Sequence, residues 1–270
     1  WFTISDDSFT PFTITHGTQE TRGCGFWNIG LYQTHPNVVS GLAPTDYPHI
    51  FDVPSLLGEF TLDHIYAVNI NKLVNCDLSG RLNIDNLRGM IFTNVATVDR
   101  CYDIPRIGKV HLWTYWTSLA PVLQYQQTYG DMFVFKRCDS PLVGDVFVFA
   151  ANSAFKMLQS SYGITTKFIA DKIVCDFVRY GLYVDSPEFT CQIGALNTQH
   201  EAWPSTGAPL DDALAIYVAR ANCTLQIGSL EVQRTPGPAI RVTNVGCRVD
   251  IGSALFNLIN MGDYFQDMQF

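Results

Sequence analysis

Apolar and polar residues alternate in short runs along most of the chain, and Gly, Asn, Asp and Pro punctuate the runs. Apolar positions seldom recur at the spacing of a helix face, so the pattern predicts strands. One arrangement repeats: apolar, any, apolar, two polar or small residues, apolar. It reads Phe60, Leu62, Ile65 in FTLDHI and Leu82, Ile84, Leu87 in LNIDNL. It reads Phe133, Phe135, Cys138 in FVFKRC and Phe168, Ala170, Ile173 in FIADKI. It returns as Cys191, Ile193, Leu196 in CQIGAL and Leu225, Ile227, Leu230 in LQIGSL. Weaker copies end at Ile29, Val110 and Ala254.

The last apolar residue of each copy serves as an anchor, at 29, 65, 87, 110, 138, 173, 196, 230 and 254. The shortest steps are 22 to 24 residues, and the others run from 28 to 36. A fixed minimum with additions describes one structural coil carrying loop insertions of variable length. Stacked coils place each inward side chain about 4.8 Å from its counterpart, giving columns of like residues. The expected fold is all-β: a right-handed parallel β-helix of about nine coils. A single domain spans 1–270, with a lead-in over 1–22, coils over 23–256 and a C-terminal cap or interface over 257–270. Leucine-rich repeats need a regular Leu and Asn ladder that these coils lack, and a sandwich would not repeat in register.

The segments RLNIDNLRG, CYDIPRIGKVHLW, GITTKFIADKIVCDF and CQIGALNTQHEAW resemble the right-handed β-helix of the pectate-lyase-like superfamily, and more narrowly that of bacteriophage tailspikes and tail-fibre depolymerases. The resemblance lies in architecture over roughly residues 20 to 260; no catalytic motif carries it. It implies a homotrimer on the tail of a virion, assembled in the host cytoplasm, that binds bacterial surface polysaccharide and depolymerises it. A non-catalytic receptor-binding or structural spike of the same fold is the alternative, and a secreted polysaccharide lyase the second.

Composition narrows the chemistry. The net charge of −8 provides no basic face for nucleic acid, and no apolar run approaches the roughly 20 residues of a membrane helix. The eight cysteines lie no closer than 16 positions apart and form no metal or redox motif, so they read as reduced, buried thiols. No cofactor or metal is expected. The chain begins at Trp1, which suggests a fragment or processed product.

Two long insertions leave the coil at one phase, after Ile29 and after Leu196, and both are rich in His, aromatic and acidic residues. The positions just after the anchors should face outward, which aligns Arg88, His111 and Asp139 on three consecutive coils. Trp113, Asp176 and Gln199 follow two positions later. Such a face suits acidic sugars or glycosidic cleavage, which needs two carboxyl groups about 5 Å or 6.5–9.5 Å apart. Glu201 is the expected acid and Asp139 or Asp176 the base. Arg88, His111, Trp113, Trp116, Gln199, His200 and Trp203 are expected to hold substrate. The bland alternative is a solvated charge ladder, with the tryptophans packing loops onto the coils.

Overall fold

The computed structural model describes residues 1–15, 23–36, 43–203 and 210–259. The protein is all-β, with 65% strand and 5% helix. The strands are Phe2–Ile4 (β1), Phe12–Thr15 (β2), Cys24–Gln33 (β3), His49–Asp77 (β4), Ser79–Asp99 (β5), Arg106–Ile107 (β6), Val110–Leu112 (β7) and Asp131–Phe135 (β8). They continue with Leu142–Leu158 (β9), Phe168–Asp185 (β10), Thr190–Gln199 (β11), Leu214–Val218 (β12), Thr224–Gln233 (β13), Ile240–Val242 (β14) and Arg248–Asn257 (β15). A helix, α1, covers Ala120–Tyr129.

Strands pair in parallel, each with a partner one repeat later. Following the partners gives a first inward column of Phe26, Leu62, Ile84, Ile107, Val143, Ala170, Ile193, Ile227 and Ile251. The anchors form a second column: Ile29, Ile65, Leu87, Val110, Val146, Ile173, Leu196, Leu230 and Ala254. An opposing wall runs Val74, Ala96, Phe133, Phe155, Leu182, Ile216 and Ile240. These columns fill one continuous apolar core. Strands β5 and β9 are joined through β6, β7 and β8, which closes that part of the sheet on itself.

One repeat sits elsewhere than its spacing suggests. Phe133 and Phe135 are buried, but they pair with Ala96 and Val98 on the opposing wall, and Cys138 bridges Cys101. The anchor of this coil is Val146, partner of Val110 and Ile173. The anchor steps on either side are therefore 36 and 27 residues, where the spacing alone suggests 28 and 35. FVFKRC and PLVGDV both satisfy the apolar spacing, and spacing does not encode which wall a strand joins. Leu62, Ile84, Ile193, Ile227 and Ile251 share the expected column, while Phe135 does not. Ile251 is only half-buried because β15 ends the stack of described strands.

The repeats IGAL, IGSL and IGSA owe their glycines to this stacking. A Cβ on Gly194, Gly228 or Gly252 would lie 2.5, 2.6 or 2.7 Å from the carbonyl oxygen of Asp171, Gly194 or Gly228 respectively. Backbone carbonyls cannot yield as a side chain would, so these positions exclude larger residues.

All eight cysteines are free, and Cys76, Cys101, Cys138, Cys175, Cys191 and Cys223 are buried. Burial pushes the thiols of Cys76 and Cys191 up to about 12, so they pack as small neutral groups. Helix α1 was not legible in the sequence. It carries Pro121 in its first turn, lacks a side-chain cap, and buries only Val122, Leu123, Gln126 and Gln127. Its apolar side covers a second, smaller core of Met90, Phe92, Phe149 and Ala150 on the outer face of the strands. The aromatic residues expected to form a C-terminal cap, Tyr264, Phe265, Met268 and Phe270, lie outside the described residues.

Candidate functional site

The outward row beside the anchors reads Tyr66, Arg88, His111, Phe147, Val174, Asn197 and Glu231. Arg88 and His111 are direct neighbours, as the repeat suggests. The third place belongs to Phe147, not to Asp139. The shifted anchor moves Asp139 out of the row: it pairs with Thr166 across a bridge and accepts from Arg137 Nη1 at 2.7 Å. Asp139 is therefore the partner of a neighbouring arginine and does not stand beside Arg88 and His111.

Two adjoining recesses open over this row. One, of about 390 Å³, is lined by Arg88, Lys109, His111, Tyr115, Asp145 and Phe147 among others. The second, of about 580 Å³, shares Asn86, Arg88 and Tyr115 and adds His64 and Tyr66. The aromatic rings brace one another. Tyr115 meets Tyr66 edge-on at 6.0 Å between centroids, and His111 stacks on Phe147 at 4.9 Å. Trp113 lies against Phe149 at 4.6 Å, and Trp116, 60% exposed, meets Tyr32 at 5.5 Å. Neither tryptophan lines a recess, although Trp113 packs on Phe147 of the lining at 5.9 Å.

The electrostatics of the cleft are lopsided. Its one carboxylate, Asp145, lies 3.8 Å from Lys172. Arg88 and Lys109 are exposed and have no carboxylate partner among the described residues. Contact with the surrounding protein lowers the pKa of His111, Arg88 lowers it further, and Asp145 opposes both. The imidazole is therefore neutral near pH 7 and can donate or accept hydrogen bonds.

The other predicted residues form a separate cluster. Asp176 pairs with Phe149, and Gln199 with Gln233, on the same outer side two positions beyond the outward row. Glu201 is buried; Arg234 Nη1 lies 2.5 Å from its Oε1, and the Gln199 amide donates to its Oε2. His200 is fully buried, with Nδ1 donating to the Val178 carbonyl at 2.8 Å and Nε2 at 2.9 Å from Thr198 Oγ1. Burial pulls its pKa down to about 4. The Trp203 indole donates to the Ser118 carbonyl at 3.1 Å, and its ring packs on Phe177 and Phe149. Gln127 of α1 ties this segment down by donating to the Glu201 and Phe177 carbonyls. Asp176 is half-buried; burial raises its pKa, and the Glu201 charge raises it further.

The predicted site thus divides in two. Arg88 and His111 share an open cleft, and Trp113 packs behind its Phe147 wall. Asp176, Gln199, His200, Glu201 and Trp203 gather under α1, and Phe149, touched by both Trp113 and Trp203, lies between the groups. Lys109, Tyr115 and Asp145 line the cleft as well and are not among the expected site residues. Lys109 and Asp145 directly precede anchors, as Asn86 does, so the repeat carried a signal for that row once the Val146 register is known. The first insertion is also more structural than expected. His35 is buried, with Nε2 at 2.7 Å from the Asn69 carbonyl, and Tyr47 is buried beside it. Among the described residues, no three His, Cys, Asp or Glu side chains are grouped to hold a metal ion. No family model matches this chain, and no curated protein or solved structure matches it significantly.

Proposed function

We propose that the chain winds as a right-handed parallel β-helix of the tailspike kind and binds bacterial surface polysaccharide in the cleft over Arg88 and His111. The uninterrupted parallel columns support the winding. The carrying observation for function is the cleft itself: Tyr66 and Tyr115 present ring faces and edges beside unengaged hydrogen-bond donors, on strands fixed by the core. Sugar rings offer apolar C–H faces and hydroxyl rims, which aromatic walls and polar floors match.

Binding without cleavage is the reading the cleft favours. Glycosidic hydrolysis calls for two carboxyl groups, and the lining offers Asp145 alone. One observation favours depolymerisation as a second reading. Asp176, shifted toward the protonated form, neighbours a Glu201 already ion-paired with Arg234, which is the asymmetry an acid and a base require. A homotrimer on a phage tail fits the apolar side chains of Leu255 and Phe256, which stand exposed on the last strand.

An array of capsular and lipopolysaccharide glycans, probed with the full chain, tests both readings. At least one glycan should bind, and Tyr115→Ala should weaken it by about tenfold, the value of one aromatic contact. Binding that survives Tyr115→Ala together with Arg88→Gln would remove the site. Release of reducing ends that disappears in Asp176→Asn would favour the depolymerase.

A further inference from the structure

We infer that the cleft is built for an acidic sugar residue, whose carboxylate lies between Arg88 and Lys109; this rests on the glycan reading above. The argument begins with charge. The chain carries −8 overall, and among the described residues nine Lys and Arg side chains have a carboxylate partner while seven have none. Of those seven, Arg88 and Lys109 line one and the same recess. The two nearest carboxylates are not paired with them. Asp85, on the adjoining turn, accepts from the backbone N–H of Asn86 at 2.9 Å and of Lys109 at 2.8 Å. Asp145 lies toward Lys172.

The backbones that carry the two cations are held in place before any ligand arrives. The backbone of Lys109 is fixed at both ends: its N–H goes to Asp85, and its carbonyl accepts from Leu87 N–H at 3.0 Å. Arg88 is fixed in parallel register with His111, which stacks on Phe147. An anion therefore needs to order only two side-chain ends, which lowers the entropic cost of binding. The planar guanidinium matches the two oxygens of a carboxylate, and Tyr115 supplies the wall for the sugar ring that bears it. Asp145 repels a phosphomonoester dianion more strongly than a singly charged carboxylate, which favours a carboxylate over a phosphorylated sugar.

Calorimetric titration of the full chain with polygalacturonate, alginate and polysialate oligomers tests this, each polymer beside its carboxyl-reduced form, with a teichoic acid and dextran as further arms. One of the three acid polymers should bind. Carboxyl reduction should weaken it about tenfold or more, and Arg88→Gln with Lys109→Gln should do the same. The two losses should overlap, so that the double variant no longer distinguishes the acid polymer from its reduced form. Both side chains are exposed, so unchanged thermal unfolding of the variant checks that it folds. Losses that add in full, an affinity indifferent to carboxyl reduction, or tighter binding of the teichoic acid would each overturn the inference. Binding of dextran that Tyr115→Ala abolishes, with no acid polymer bound, would overturn the acidic class and keep the glycan reading. A chain that binds no glycan in any arm would overturn both.

Discussion

The cleft over Arg88 and the cluster beneath Trp203 are made of the same kinds of residue: a histidine, a carboxylate, an arginine or lysine, and aromatic rings. In the cluster the groups satisfy one another. His200 is sealed between Val178 and Thr198, Glu201 holds Arg234, and the Trp203 indole N–H is spent on Ser118. In the cleft, Arg88 and Lys109 face open volume without a carboxylate partner among the described residues. Residue type alone cannot separate these cases; a ligand site differs from a structural knot in having donors and charges left over.

The sharpest way to break the comparison is through Glu201. Glu201 is buried but Arg234 is half-buried, so removing the carboxylate is expected to cost about 2–4 kcal/mol, somewhat less than for a pair buried on both sides. Glu201→Ala should therefore lower the urea midpoint severely, whether or not a glycan is present. A variant with wild-type stability would show that Glu201 is free for chemistry after all.

His200 gives the next effect, through pH. Its pKa falls from an ordinary 6.5 to about 4 in the folded state. The unfolded chain thus binds a proton that the folded chain refuses, and stability rises with pH across this window. The contribution is complete above pH 6.5 and is lost as pH falls toward 4, each pH unit within that window costing about 1.4 kcal/mol. His35 and His49 are lowered by burial too and add to the same slope. Unfolding midpoints of wild type and His200→Gln across pH 4 to 7 should show a shallower slope in the variant. Equal slopes would place His200 in contact with water.

Gly228→Ala probes the scaffold common to both regions. Its Cβ would meet the Gly194 carbonyl at 2.6 Å, so the strands must part locally, at a cost of about 1–3 kcal/mol. A neutral substitution, read by thermal unfolding, would show that the columns are not packed at this spacing.

The periodic apolar signal made most of the core columns legible, because stacking in register forces like residues to recur. Three things were hidden. The segment FVFKRC has the repeat's spacing but joins the opposing wall, and the error carried Asp139 into a row where Phe147 stands. Helix α1 buries two apolar residues and two glutamines, too weak a face to register as a helix, although Gln126 and Gln127 satisfy carbonyls of Ile91, Phe177 and Glu201. And nothing in the order of residues shows that His200 and Glu201 are already engaged, since Arg234 and Val178 lie more than 20 positions away.

The smallest effect sharpens the comparison most. Arg88→Gln should leave stability within about 0.5 kcal/mol of wild type, because the side chain is exposed and has no ion-pair partner among the described residues. It should nonetheless be visible at His111. The pKa of that imidazole is lowered first by burial and then by the Arg88 charge across the pair of strands. Removing the charge takes away the second cause, so the pKa should rise. It should stay below the ordinary histidine value, because the packing against Phe147 is untouched. A titration of the His111 ring protons by NMR in wild type and Arg88→Gln reads this directly. A pKa that does not move would mean that Arg88 points away from the cleft, and its place beside Lys109 as an anion-holding pair would fall with it. In the closed cluster the corresponding experiment has no quiet variant, because Arg234 cannot be neutralised without stranding Glu201. In the cleft the charge can be removed without disturbing a partner, which is what a position reserved for a ligand permits.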